Sequence, residues 1–130
     1  MKRIGLLTSS RADFGIYYPL ARKIQNHPEF DLEIIAFGTH LSDKYGNTID
    51  EIKKLGFEIN YQFETLSNDD TPLSIALSMS KTIKLLSFFW EERKNYFDIV
   101  LTLGDRYEMF SAVQSGIPFN IKFAHIHAGE

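Results

Sequence analysis

Short apolar runs alternate along this chain with longer stretches in which apolar residues return every three or four positions. Arg3–Thr8, Asp31–Gly38 (DLEIIAFG), Asp98–Leu103 (DIVLTL) and Ile121–Ile126 are the runs. They have the length and near-continuous apolarity of strands buried on both faces. Glu58–Tyr61 is a shorter candidate of the same kind. Between the runs the period changes. A first helix is expected to begin between Asp13 and Tyr17, with Ile16, Tyr17, Leu20 and Ile24 on one face and Pro19 arguing for a late or kinked start. Ile49–Leu55 reads as a short helix stopped by Gly56. Thr71-Pro72 opens another, with a capping hydroxyl and a proline at the first helical position. Its expected core stripe is Ala76, Met79, Ile83, Leu86 and Trp90. A last helix spans about Arg106 to Gln114 and stops at Ser115-Gly116.

Strands that alternate with helices predict an α/β fold: a parallel sheet with right-handed crossovers and helices covering it. No repeat, low-complexity tract or linker divides residues 1–130, so one domain is expected. Ligands of such sheets lie beyond the carboxyl ends of the strands. The chemically unusual residues collect there: Ser9, Ser10 and Arg11 after the first strand, Thr39 and His40 after the second. Gly104, Asp105 and Arg106 follow the fourth, and His127 to Glu130 follow the fifth.

Composition narrows the classes. Hydrophobic residues make up 44% and charged residues 24%, ordinary for a globular chain, and 130 residues can bury a core. The net charge of −3 argues against a nucleic-acid partner, which needs a basic face. There is no cysteine, which excludes disulfides, thiol chemistry and cysteine-based zinc sites. The apolar runs are too short to span a bilayer, and the N-terminus enters a strand without a signal-peptide pattern, so no membrane partner and a cytoplasmic location are expected.

Each candidate residue has a structural and a chemical reading. The turn TSSRAD, residues 8–13, lies where a phosphate-binding turn would carry glycines, and has two hydroxyls, an arginine and an aspartate instead. Arg11 beside a helix N-terminus can give a phosphate bidentate hydrogen bonds, or it is a solvated partner of Asp13. Asp13 reads as a helix cap, and Ser9 and Ser10 as caps or ligand contacts. In LGDRYE, residues 103–108, Asp105 is either the cap of the next helix or a general base in a cleft, while Arg106 and Glu108 read as surface residues. HIHAGE, residues 125–130, is the densest titratable cluster. His125 and His127 share a strand face, and with Glu130 or His40 they form a metal set only if distant loops converge; an acid–base set is the simpler reading. A receiver domain is excluded because paired acids do not follow the first strand, and a dinucleotide fold because GxGxxG is absent.

Taken in order, SSRADFG, FGTHLSDKYGNT, LGDRYE and HIHAGE resemble the N-terminal half of the hydrolysing UDP-N-acetylglucosamine 2-epimerases over nearly the whole chain. Together with the alternation, the resemblance implies a Rossmann-like sheet with helices on both faces and strand order 3-2-1-4-5, the N-terminal domain of a glycosyltransferase-B-like fold, with the active site in a cleft against a second, nucleotide-binding domain. It implies a UDP-sugar substrate, no cofactor and no metal, and leaves a homo-oligomer open. Ser10, Arg11, His40 and Arg106 are the candidate substrate contacts, with Arg11 facing the diphosphate. Asp105, His127 and Glu130 are the candidate catalysts, facing the sugar. The family's chemistry removes a proton from C2 as UDP leaves C1, then hydrates the resulting glycal with inversion at C2. Some relatives carry glutamate where this chain has His127, and many carry glycine where it has Ala128.

Overall fold

A computed structural model describes residues 1–42, 48–66, 69–104 and 106–126. Five parallel strands form its sheet: β1 (Lys2–Thr8), β2 (Phe30–Ala36), β3 (Tyr61–Gln62), β4 (Ile99–Leu103) and β5 (Phe123–Ile126). Their order is β3-β2-β1-β4-β5, the order expected from the alternation together with the family resemblance. Residues of β1 pair along their whole length with β2, from Lys2 opposite Phe30 to Thr8 opposite Ala36. On its other side β1 meets β4, Ile4 opposite Ile99. The four principal helices are α1 (Arg11–Asn26), α2 (Thr48–Lys54), α3 (Pro72–Glu92) and α4 (Tyr107–Gly116). Among the described residues no helix is long and apolar enough to cross a membrane.

Side-chain alternation along the strands divides the core into two layers. Ile4, Leu6, Ile34, Leu101 and Leu103 face α1 and α2, where Phe14, Tyr17, Ala21, Ile24 and Ile52 meet them. Leu7, Ile35 and Val100 face α3 and α4, against Leu86, Phe89, Trp90, Met109 and Ala112. Trp90 is fully buried, and its Nε1–H donates to Ser115 Oγ at 2.8 Å, tying α3 to α4. Below the core, Glu33 accepts the hydroxyls of Tyr61 and Tyr96, each at 2.6 Å, and lies 3.2 Å from Arg3.

Two helices present faces other than those expected. α1 begins at Arg11, capped by Ser10, and runs through Pro19, which lies on the exposed side where the unmade bond to Gly15 can be met by water. Its buried stripe is Phe14, Tyr17, Ala21 and Ile24; Ile16 and Leu20 are exposed. On α3 the buried positions are Ser78, Thr82, Leu86, Phe89 and Trp90, whereas Ala76 is exposed and Met79 and Ile83 only half-buried. Small hydroxyl side chains are the reason: Thr82 donates to the Ser78 carbonyl at 2.8 Å, leaving α3 a low-profile surface there. β3 also starts later than expected, at Tyr61.

Candidate active site

The turn after β1 is built by its own hydroxyls and carboxylate. Ser10 is the N-cap of α1, extended at φ −155° and ψ 161°, and its Oγ accepts from the Asp13 amide at 3.2 Å. Asp13 reaches back: its carboxylate accepts from the Ser9 amide at 2.9 Å, from Ser9 Oγ at 2.8 Å and from the Thr8 hydroxyl. The arrangement is a variant of the reciprocal capping box, with the third helical residue gripping the chain before the cap. Burial pushes the Asp13 carboxyl up from the usual carboxylate value, against the pull of those hydrogen bonds.

No glycine is needed in this turn because the close approach is made from the neighbouring loop. Gly38, at φ +63°, lies against Ser9, where a Cβ would stand 2.8 Å from the Ser9 carbonyl oxygen. Thr39 follows and donates twice to that oxygen, from its amide at 2.8 Å and its hydroxyl at 2.9 Å. The β2 loop is thus stapled across the end of β1.

Arg11 occupies the first position of α1 and points outward, its side chain 76% exposed, with Nε 3.1 Å from Glu51 Oε2 on α2. His40, expected among the substrate contacts, is instead 2% exposed and takes part in holding the rim from behind. Nε2 lies 2.8 Å from Thr8 Oγ1, and Nδ1 lies 2.8 Å from Thr48 Oγ1. Thr8 has one hydroxyl proton and donates it to Asp13, so its oxygen accepts from His40 Nε2–H. The ring is neutral, burial pushing it down to about 4, and its Nδ1 accepts from Thr48. Sequence reasoning missed this chain because Thr8 and Thr48 carry no signal beyond their place at element ends.

Across β1, the ends of β4 and β5 carry the second group. Gly104 turns the chain at φ +79°, and its carbonyl accepts from His125 Nε2 at 2.7 Å. His125 is exposed, so it anchors the strand end from outside the core. Arg106 is the N-cap residue of α4, and its guanidinium grips Glu108 through two bonds of 3.1 and 3.0 Å. Glu108, expected on the surface, has a side chain only 3% exposed; the paired guanidinium and its place in the first turn of α4 compensate the buried charge. Tyr17, expected only as core, carries a buried hydroxyl with no hydrogen-bond partner among the described residues. Asp105, His127 and Glu130 lie outside the described residues. Ser10, Arg11 and His40 are therefore grouped at the carboxyl ends of β1 and β2, with Arg106 and His125 at those of the adjoining β4 and β5. Among the described residues no group of three or more histidines and carboxylates is placed to hold a metal.

An open parallel sheet with polar and charged loops gathered beyond its carboxyl edge defines a Rossmann-like domain whose candidate site is that rim. Residues 22–130 match the family model of UDP-N-acetylglucosamine 2-epimerase, and the chain belongs to that family. It is 36% identical over 130 residues to polysialic acid biosynthesis protein P7 of Escherichia coli, covering 100% of this chain and 33% of that protein. To the GDP/UDP-N,N'-diacetylbacillosamine 2-epimerase (hydrolyzing) of Campylobacter jejuni it is 35% identical over 129 residues, 99% of this chain and 33% of the other. The solved UDP-GlcNAc 2-epimerase of Neisseria meningitidis, bound to UDP-GlcNAc, superposes with a TM-score of 0.77 at 19% identity, covering 99% of this chain and 32% of that one. The fold is accordingly that of a Rossmann-like domain of a glycosyltransferase-B-like protein, and the chain spans about a third of the length of the relatives it matches.

Proposed function

We propose that this chain is part of a hydrolysing UDP-N-acetylglucosamine 2-epimerase, which eliminates UDP and hydrates the product with inversion at C2. In the first step the C2 proton passes to a base, the C1–O bond to UDP breaks and a C1–C2 double bond forms. In the second, water adds its hydroxyl to C1 and a proton returns to C2 on the opposite face, giving N-acetylmannosamine. The observation that carries the reading is Arg11, an outward-facing cation at the head of α1 in a chain of this family. A helix N-terminus and a guanidinium both favour a leaving diphosphate, and more so as its charge grows in the transition state. Asp105 or Glu130 acts as the base at C2 and His127 as the acid that returns the proton, roles that rest on the family resemblance of LGDRYE and HIHAGE. Ser10 and Arg106 complete the substrate contacts from the two halves of the rim, and neither metal nor cofactor enters the reaction.

A second substrate has specific support. A relative whose name gives UDP-N,N'-diacetylbacillosamine is 35% identical to this chain, and one named for UDP-N-acetylglucosamine is 33% identical. We take residues 1–130 as one domain that works against a second, nucleotide-binding one, in a cytoplasmic protein. Release of UDP from each sugar nucleotide, with the freed sugar identified by NMR, tests the reading on this chain and on a version extended to the relatives' length. Release of N-acetylmannosamine supports it. Release of the diacetamido sugar moves the assignment to the second substrate. UDP binding without release by the extended protein would make it a nucleotide-sugar-binding module.

A further inference from the structure

We propose that His40 is a positioning residue for Arg11, a ring held in the Nε2–H form that clamps the β1–α1 turn to the first turn of α2 and so sets where the guanidinium stands. The inference rests on the reading of Arg11 as the diphosphate's cation. The observations form a closed circuit. His40 donates to Thr8 and accepts from Thr48, residues on two different elements, each at 2.8 Å. Thr8 donates to Asp13, whose carboxylate holds the Ser9 amide and hydroxyl two residues from Arg11. Thr48 begins α2, and Glu51, one turn further on, stands 3.1 Å from Arg11 Nε. Leaving from Arg11, the connections pass through the turn, the imidazole and α2, and return to Arg11.

The circuit has one polarity. Ionised Asp13 only accepts, Thr8 has a single proton, and a neutral imidazole has one donor and one acceptor. Each hydroxyl and ring nitrogen is thereby assigned, from Thr48 through His40 and Thr8 to Asp13. A buried imidazole and carboxylate are costly unless their bonds are made, and Thr39 already staples the two loops through the backbone of Ser9. What the chain adds is a fixed separation between the head of α1 and α2. Arg11 is then aimed before the ligand arrives, with Glu51 standing where a second anion, the diphosphate, can take its place. Preorganisation of this kind reduces what must be ordered on binding.

Two substitutions separate the halves of the clamp. His40→Gln sets an amide donor near the position of Nε2 and keeps the bond to Thr8; His40→Asn keeps an acceptor for Thr48 and loses that donor. In the wild-type chain, ring-nitrogen NMR should show a neutral His40 with its proton on Nε2; a proton on Nδ1 would overturn the circuit. His40→Asn should speed exchange of the Ser9 amide and weaken UDP binding, followed on the Arg11 Nε–H signal, each by roughly 3- to 10-fold, the worth of one net hydrogen bond. His40→Gln should recover most of both, and Thr8→Val should behave like His40→Asn. Equal effects of Gln and Asn would reduce His40 to packing and refute the proposal. If neither the wild-type chain nor its extended version responds to UDP, Arg11 is not the diphosphate's cation. The clamp would then be judged on the ring nitrogens and on Ser9 exchange alone.

Discussion

Replacing Gly116 by alanine should destabilise the fold, and replacing Gly15 by alanine should stabilise it. Both glycines lie in helices, Gly116 at the end of α4 and Gly15 in the second turn of α1. A Cβ on Gly116 would stand 2.5 Å from Phe123 Cζ, 2.8 Å from Cε2 and 3.2 Å from Ile121 Cγ1. Carbon pairs rest at about 3.5–4.0 Å, so the Phe123 ring must retreat by about 1 Å. It has little room, because it packs edge-on to fully buried Trp90 at 6.1 Å between centroids, and Trp90 is pinned to Ser115. Overpacking of this kind costs about 1–3 kcal/mol, offset by the 0.4–1 kcal/mol or so that alanine gains over glycine by restricting the unfolded chain. A net loss of about 1.5 kcal/mol corresponds, for a chain of this size, to a fall in Tm of roughly 4–9 °C. A Cβ on Gly15 meets nothing within 4 Å, so only the gain remains and Tm should rise by a few degrees. Thermal melts followed by circular dichroism read both variants against the parent. A Gly116→Ala melt at or above the parent's would show that Phe123 yields freely, and the packing argument for the α3–α4 layer would fail.

Three further outcomes are expected. His40 titrates at about 4 in the fold against 6.5 when unfolded, so the unfolded chain binds the extra proton first and stability is lost as pH falls from 6.5 to 4, by at most about 3 kcal/mol. Asp13, raised by burial, acts in the opposite sense above 3.8; urea midpoints at pH 7, 5.5 and 4.5 should decline in the parent and decline less in His40→Gln. Ser115→Ala leaves the buried Trp90 N–H without its acceptor and should cost about 1–3 kcal/mol, read as a lower urea midpoint; an unchanged midpoint would mean the indole finds another acceptor. In the extended protein, Asp105→Asn should cut turnover by about 10²-fold or more with UDP affinity nearly intact, while Arg11→Ala lowers both; near-normal turnover in Asp105→Asn would remove Asp105 from the chemistry.

The central strands were legible because DLEIIAFG and DIVLTL are short, nearly continuous apolar runs, and the sheet order followed from the alternation together with the family resemblance. Helix faces were less so. Ile16 and Leu20 look more apolar than Ala21, yet the sheet takes Ala21, because a small residue lets the α1 backbone come close beneath Phe14 and Tyr17. On α3 Thr82 is buried with its hydroxyl bonded to the Ser78 carbonyl within the helix, a possibility that apolar periodicity does not register. At the site, the convergence of Ser10 and Arg11 with the His40 loop followed from the rule for strand ends. The roles did not. Whether His40 meets solvent or Thr8 depends on Gly38 drawing its loop against Ser9, a contact across nearly thirty residues of sequence.

The sheet order also sets a timetable for synthesis. β1 leaves the ribosome before the other strands of the sheet and can pair promptly with β2, 28 positions on, but its other edge waits for β4, whose Ile99 is the partner of Ile4. Until Ile99–Leu103 arrives, the nascent chain carries the full-length apolar edge of the strand that will become the centre of the sheet. An unpaired edge of that kind is a template for association with other chains. The segment from α3 to β4 therefore closes that edge of β1, and a pause in translation before residue 99 would prolong its exposure.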